Sequence, residues 1–252
     1  MGRLHALYEP ESLNNVISEK SLPVFHHMNL HLTYPFLTVL GLFLHALYLP
    51  EPLYGQAGSW DRWDAEVVDR LFTSRGIPYL NDEEQKVVLF MNMARHDGPL
   101  FAETFLDTYV EENRVENSSY LKSLYRDLKN TSGLLPLVPE EDLTAVAQGH
   151  ATRSGKTGHV GHRDIYRRFA PLRGDPYSAW GENCSYGYHE AIGIVVILLI
   201  DEGIKGAGHR KNILNPEFNS VGVAIRPHKT YQVNCVMDFG KRSRSSLNDV
   251  PY

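Results

Sequence analysis

Cysteine is scarce in this chain. The 252 residues include only two cysteines, Cys184 and Cys235. Two are too few for a disulfide-rich scaffold or for a zinc site built from cysteines alone. An even pair in an exported protein can form one bridge. The sequence therefore leaves two alternatives open for Cys184 and Cys235, a single disulfide or two buried thiols.

The chain also lacks an excess of basic residues. It carries 25 Lys and Arg against 30 Asp and Glu, which gives a net charge of -5. A nucleic-acid surface needs basic residues to neutralise phosphates, so nucleic acid is not a predicted partner. The local basic stretch that contains Arg163, Arg167 and Arg168 is predicted to be a solvated helix face.

Several enzyme motifs are missing from the sequence. No GxSxG, HExxH or P-loop pattern occurs, and neither cysteine has the sequence context of a nucleophile. The hydrolase and nucleotide-binding classes that these motifs mark are therefore not indicated.

Long hydrophobic runs are few in the sequence, and the longer of the two, residues 37–49, is almost wholly apolar. This run is shorter than the ~20 residues that span a membrane. Its length is typical of the apolar region of a signal peptide. The competing interpretation is a core helix or a membrane anchor.

Small residues follow this run at Gly55 and Ala57, where a signal peptidase would read them. We therefore predict an N-terminal extension over residues 1–57, with translation starting at Met28 and a signal peptide over residues 28–57. After its removal the protein would have no transmembrane domain. It would be extracellular or periplasmic, in a bacterial envelope.

Periodic apolar residues predict helices in the following part of the chain. Residues 58–80 are predicted to be a linker. The first helix is predicted to start at Asn81 and Asp82, and apolar side chains follow with helical spacing through residues 85–95. Hydrophobic residues make up 42% of the chain, enough for a core. Further helices are predicted at residues 101–110, 120–128, 140–152, 164–169 and 190–202.

Strand patterns lie towards the end of the chain. Residues 181–187 are predicted to be extended, and residues 220–226 and 231–239 alternate in the manner of strands. Helices first and strands last, without βαβ alternation, predict a layered α/β arrangement with an antiparallel sheet. The polar tail at residues 241–252 is predicted to be mobile.

Four polar residues flank the apolar helix at residues 190–202 or lie in turns. Glu182 precedes this helix, Glu202 lies at its end, His209 follows a glycine-spaced turn, and His159 lies in the turn TGHVGH. We predict that these four side chains converge on one pocket.

The positions of these residues favour a cation. A helix N-terminus disfavours imidazolium, so His209 is expected to be neutral, which is the form that ligates metals. Glu202 would face the negative end of a helix dipole, which favours a nearby cation. If Glu182 is buried, it must be paired, protonated or bound to a cation. The alternative for each residue is a hydrogen bond in a turn or exposure to solvent.

Neighbouring residues offer alternatives for two members of the set. His162 or His150 could stand in place of His159, although His150 falls inside a predicted helix. Asp201 could take the role of Glu202.

Six short segments carry a resemblance to a known family. They are residues 157–159 (TGH), 181–183 (GEN), 200–202 (IDE), 208–214 (GHRKNIL), 221–223 (VGV) and 238–240 (DFG). In this order they resemble the CAP superfamily of cysteine-rich secretory proteins, antigen 5 and pathogenesis-related 1 proteins, also called SCP domains. The resemblance covers roughly residues 83–240, and we predict the domain at residues 81–240. The scarcity of cysteine and the long insert before the GEN segment are typical of a bacterial member.

The resemblance implies a three-layer α-β-α sandwich with a small antiparallel sheet. It also implies a cavity with two histidines and two acidic residues, which in some members bind a divalent metal, often zinc. By motif position the metal ligands are His159 and His209, with Glu182 and Glu202 acting through water. Leu199 stands where many members have a tryptophan, which changes the cavity wall.

Three functions follow from this prediction. The first is an exported binding module whose cavity holds a metal, a ligand, or both, the ligand being a lipid, a peptide or an envelope component. The second is a metal-assisted hydrolase of peptidase or esterase type, with Glu182 or Glu202 as catalytic base. The third is a structural polar network without metal.

Overall fold

The computed structural model describes residues 60–243 apart from residues 173 and 175. The signal peptide predicted at residues 28–57 lies outside the described residues, and so does most of the tail predicted at residues 241–252. None of the helices between residues 60 and 243 has the length and apolarity that crossing a membrane requires.

Helices make up more of the described chain than strands do. A π-helical stretch, Ala102–Leu106, lies between α3 and α4, and a 3-10 turn, Ala170–Leu172, follows α7. The α-helices are α1 (Ala65–Leu71), α2 (Asp82–His96), α3 (Gly98–Phe101), α4 (Asp107–Glu112), α5 (Ser119–Lys129), α6 (Glu141–Thr157), α7 (Ile165–Arg168), α8 (Ala191–Ile200) and α9 (Gly208–Ile213).

The strands form one four-stranded sheet in the order β1-β3-β4-β2. Strands β2 and β3 each pair antiparallel with β4, and the short β1 adds a parallel pairing to β3. The two predicted C-terminal strands are confirmed, although each is longer than its pattern. The strands are β1 (Val138–Pro139), β2 (Tyr177–Tyr186), β3 (Ser220–His228) and β4 (Gln232–Arg242).

One face of the sheet is covered by α6. Cys184, Ala224 and Val236 point to this face and share a buried cluster with Ala147 and Ala151 of α6. We call this the α6 face. The small side chains allow the helix to lie close to the strands.

The opposite face packs against α2 and α8. Val223, Met237 and Phe239 belong to the main core together with the apolar residues of these two helices. Helix α8 is apolar nearly all round, and such a helix is stable only when protein surrounds it. We call this the α8 face. The predicted three-layer α-β-α sandwich is therefore confirmed.

The capping prediction for α2 is also confirmed. Asn81 Oδ1 accepts a hydrogen bond from Glu84 N at 2.9 Å, and Glu84 Oε2 accepts one from Asn81 N at 2.8 Å. This reciprocal pair is a capping box, which satisfies two donors at the helix start.

The prediction that residues 58–80 are a linker is wrong. Asp64 caps α1 by accepting hydrogen bonds from the next turn, and Val68 and Leu71 are buried in the main core. Charged residues separate these apolar side chains along the sequence, although the spacing of the apolar residues is that of one helix face. The folded domain therefore begins before Asn81.

Helix α6 extends beyond its predicted end at residue 152. It continues to Thr157 and stops at Gly158, whose positive φ of 75° suits glycine. Ser154 and Gly155 are consequently helical and buried, and His150 lies well inside the helix.

We expect Gly222→Ala to destabilise the domain by about 1–3 kcal/mol, the usual range for overpacking a tight core. A Cβ on Gly222 would lie 2.2 Å from both Leu143 C and Thr144 N, so the backbone of α6 would have to move. Urea unfolding followed by circular dichroism measures the change.

Gly149→Ala is the matched control. Gly149 is exposed on the same helix, and a Cβ there meets nothing within 4 Å. We expect this variant to gain about 0.5–1 kcal/mol, because alanine has the higher helix propensity. Equal effects of the two substitutions would contradict the close approach of α6 to β3.

Candidate functional site

The edge strand β2 carries two motif residues on opposite faces. Glu182 points to the α6 face and Asn183 to the α8 face, because side chains alternate along a strand. Asn183 Nδ2 donates to the His209 carbonyl at 3.0 Å, and Asn212 Nδ2 donates to Asn183 Oδ1 at 2.9 Å. These bonds hold α9 against the strand, so the GEN and GHRKNIL segments form one structural unit.

Glu182 is fully buried and held by two donors. His162 Nδ1 lies 2.8 Å from Glu182 Oε1, and the Arg168 guanidinium donates through Nη2 at 2.9 Å and through Nη1 to the other oxygen. Burial by itself raises the carboxyl pKa. The hydrogen bonds from His162 and Arg168 outweigh it and lower the pKa of Glu182 to about 2. Glu182 is therefore an anion at neutral pH.

A second histidine–carboxylate pair lies between α8 and α9. His209 Nδ1 is 2.7 Å from Asp201 Oδ1, and Asp201 Oδ2 accepts from the His209 backbone N–H at 2.8 Å. Asp201 ends α8 in the left-handed conformation, with φ of 58°. This conformation disfavours residues other than glycine, and such strain is often found at functional sites. Here it turns the carboxylate onto α9.

Arg210, the next residue of the motif, stabilises the end of α8. Its Nε donates to the Leu199 carbonyl at 2.6 Å and its Nη2 to the Ile200 carbonyl at 2.9 Å. The last carbonyls of a helix lack intrahelical partners, so a buried guanidinium satisfies them. The same side chain forms an ion pair with Asp127. Arg210 thus fixes the turn that holds the second pair.

The two imidazole rings meet at the edge of the sheet. The ring centroids of His162 and His209 are 6.2 Å apart. The side chains of His162 and His209 are 29% and 19% exposed, whereas those of Glu182 and Asp201 are 0% and 1% exposed. Each ring contacts its carboxylate through Nδ1. A carboxylate only accepts hydrogen bonds, so Nδ1 carries the proton of the neutral ring and Nε2 carries the lone pair. Among the described residues neither Nε2 has a protein partner.

His150 and Cys184 lie deeper on the α6 face. His150 Nε2 is 2.9 Å from the Gly161 carbonyl and 3.9 Å from Glu182 Oε1. Burial lowers the pKa of His150 and raises that of the Cys184 thiol, so both are neutral near pH 7. Together with Glu182 these residues form a cluster in which the three ligand atoms, one from each side chain, lie within 4.8 Å of one another.

Asp238 lies directly opposite Glu182 on β4. It is fully buried, and within the described chain neither carboxyl oxygen has a hydrogen-bond partner of normal geometry. Burial and then the charge of Glu182 raise the pKa of Asp238 well above its usual value. Asp238 is therefore a neutral acid beside a carboxylate.

Comparison with known protein families identifies the family of this chain. The model of CAP, the cysteine-rich secretory protein family, matches residues 94–239. The chain belongs to the CAP family. A search of curated protein sequences finds no relative.

The chain is also similar to three solved structures. An outer surface protein from Borrelia burgdorferi is 18% identical, with TM-score 0.36, and the match covers 51% of this chain and 97% of that one. A cysteine-rich secretory protein from Staphylococcus aureus is 17% identical, with TM-score 0.37 and coverages of 51% and 40%. Venom allergen-like protein 4 from Schistosoma mansoni is 13% identical, with TM-score 0.41 and coverages of 65% and 91%.

In this CAP domain the structure brings together two of the four predicted site residues, Glu182 and His209. His162 stands beside Glu182 where His159 was predicted, and the His159 carbonyl instead accepts from His228 Nε2 at 3.1 Å. The longer α6 moves the turn along the chain, which explains the three-residue difference.

Glu202 lies outside the pair that was predicted to contain it. Its side chain is exposed and accepts from Ser118 Oγ at 2.5 Å. Asp201 occupies the place beside His209, because the left-handed backbone at Asp201 turns that carboxylate inward.

Of the two alternatives for the cysteines, the structure shows the second, because Cys184 and Cys235 are both free buried thiols. Cys184 pairs with Val236 and Cys235 with Ser185 across the same two strands. The two thiols therefore point to opposite faces of the sheet, and a disulfide would have to pass through it.

Two residues of the site were not predicted, Arg168 and Asp238. Arg168 was assigned to a solvated helix face, but its side chain is only 6% exposed and pairs with Glu182. No local pattern separates it from its neighbour Arg167. Asp238 gives a clearer signal, because it interrupts a strand whose neighbours are apolar.

We expect Glu182→Gln to destabilise the domain by about 3 kcal/mol at neutral pH, because it leaves Arg168 buried without a counter-charge. The folded pKa of Glu182, about 2, lies below the ordinary 4.5. The stability from ionised Glu182 is therefore present above pH 4.5 and lost as the pH falls towards 2. Urea unfolding in chelator across this range should show the variant and wild type converging. Exposed Glu202→Gln is the control, and a pH-independent loss would contradict the assignment.

Asp238→Asn should change stability in the opposite direction. Because the folded pKa of Asp238 is raised above the ordinary 3.8, the stability from its protonated form is present below pH 3.8 and declines as the pH rises. Asparagine is neutral without taking up a proton, so the variant should exceed wild type in stability at pH 7 and match it below pH 3.8. A variant that is less stable than wild type at pH 7 would show that Asp238 is ionised there.

Proposed function

We propose that this CAP domain binds a divalent metal ion between His162 and His209, and that the metal helps to hold a ligand. The observation that carries the proposal is the pair of rings 6.2 Å apart, each with Nδ1 on a buried carboxylate. This pairing leaves two Nε2 lone pairs on neighbouring, partly exposed rings.

The donor chemistry fits zinc. Histidine ligands of zinc commonly donate their other ring N–H to a carboxylate, which fixes the tautomer and orients the ring. Two protein ligands leave coordination positions for water or for a donor atom of a ligand. A bound metal would supply positive charge that attracts and orients such a donor.

The carboxylates have a different role from the one expected from the sequence. Glu182 and Asp201 both face Nδ1 atoms, and each also accepts further hydrogen bonds, from Arg168 and from the backbone of α9 respectively. We assign them to orienting the rings of His162 and His209 rather than to holding a metal-bound water.

This arrangement favours binding over hydrolysis. A general base works best when its pKa is near the working pH. Glu182 has a pKa of about 2 and is paired with Arg168, so it takes up protons poorly at neutral pH. Asp201 accepts from His209 and from the α9 backbone, so its lone pairs are also engaged.

The partner and location that we propose follow from the sequence. An apolar run with small residues after it motivates export, to the extracellular space or the periplasm, and a lipid, peptide or envelope component as ligand. N-terminal sequencing of the protein purified from its cells tests export. A mature chain that starts near Ala57 is the expected result, and one that retains residues 37–49 would contradict it.

Zinc titration of untagged, chelator-treated protein tests the metal site. We expect His162→Ala and His209→Ala each to lose one equivalent of bound zinc per chain, because each removes one ligand. Asp201→Asn should weaken this binding by about 10–100-fold, as usual for a residue that orients a ligand.

His159→Ala is the matched control, since it removes a nearby histidine that does not contact either carboxylate. It should bind zinc as wild type does. Loss of zinc in this variant with retention in His162→Ala would overturn the assignment. Wild type that binds no zinc would favour the purely structural network.

A further inference from the structure

We propose that a second cation site, selective for metals that prefer sulfur, lies beneath the two rings and is formed by His150, Glu182 and Cys184. It shares no ligand atom with the site between His162 and His209, although Glu182 also orients the His162 ring. Its ligands would take a divalent ion such as Zn²⁺.

The three donors come from two rigid elements. Glu182 and Cys184 are two residues apart on β2 and therefore point to the same α6 face, while His150 projects from α6. His150 Nε2 lies 3.9 Å from Glu182 Oε1, and the three ligand atoms lie within 4.8 Å of one another. Donors around a tetrahedral zinc ion are roughly 3–4 Å apart, given bonds of about 2.0–2.3 Å. Small side-chain shifts would therefore close the set on an ion.

The chemistry of the donors selects the class of metal. A thiolate and an imidazole favour zinc and related metals over Mg²⁺ and Ca²⁺, which prefer oxygen ligands. On binding, His150 Nε2 would lose its hydrogen bond to the Gly161 carbonyl, the neutral ring would carry its proton on Nδ1 instead, and Cys184 would release its proton to solvent. A water molecule would complete the four positions.

A further carboxyl lies beside the proposed ligands. Asp238 is fully buried, directly opposite Glu182 and diagonal to Cys184 on the same face.

His162 forms the outer wall of this site. Its Nδ1 is 3.8 Å from Cys184 Sγ, and its side chain is the partly exposed one in the cluster. A small rotation of this ring would open a path from solvent to the thiol. The cluster is thus accessible through the same edge of the sheet that carries the first site.

Cobalt(II) distinguishes the two sites, because a cobalt–thiolate bond gives a near-ultraviolet charge-transfer band and a cobalt–imidazole bond does not. We expect Co²⁺ added to the untagged, chelator-treated chain to produce this band. The band should persist in Cys235→Ser, which removes the thiol on the opposite face, and disappear in Cys184→Ser. We expect His150→Ala to weaken the Co²⁺ affinity measured from this band at least tenfold.

His209→Ala separates this proposal from the proposed function. It should lose one equivalent of metal and keep the charge-transfer band, whereas loss of the band would show one shared site and overturn the proposal. Failure of metal binding at the two rings with retention of the band would reject only the first site.

Wild type alone gives a decisive result even if Cys184→Ser does not fold. Absence of the band at saturating Co²⁺ would overturn the proposal, and so would a band that depends on Cys235. Alkylation followed by mass spectrometry is the second measurement. Zn²⁺ should protect Cys184 and leave the reactivity of Cys235 unchanged, and equal protection of both would also overturn the site.

Discussion

The buried ion pair between Glu182 and Arg168 is the interaction on which the site depends. Removing a charge from water is costly, and a buried pair is favourable only when its remaining hydrogen-bonding atoms are satisfied. Here the Glu182 carboxylate accepts from Nη1 and Nη2 of Arg168 and from His162 Nδ1. The pair therefore ties α7 and the turn before it to the edge strand, and it sets the orientation of the His162 ring.

The second constraint is the alternation of side chains along β2. Glu182 lies on one face of the sheet, and Asn183 on the other face holds α9 through the His209 carbonyl. Two adjacent residues thus bring a histidine from each layer to the same edge. The edge of the sheet therefore stands between the two histidine–carboxylate pairs.

Sequence reasoning reached the fold and part of the site. The order of the motifs and the apolar character of α8 predicted the layers, and the structure places Glu182 and His209 in the polar cluster. The other histidine and carboxylate of the cluster lie three residues after His159 and one residue before Glu202. The choice between such neighbours depends on where α6 ends and on the left-handed backbone at Asp201, and both are set by tertiary packing. The role of Arg168 depends on a partner distant in sequence.

The conformation of Asp201 has an evolutionary consequence. Glycine would relieve the backbone strain at this position, but it would leave the backbone donors of His209 and Arg210 without their acceptor. The same change would delete the carboxylate that orients His209. Stability and the site are therefore lost together at this position, so a lineage that needs only the fold still has a reason to retain the aspartate.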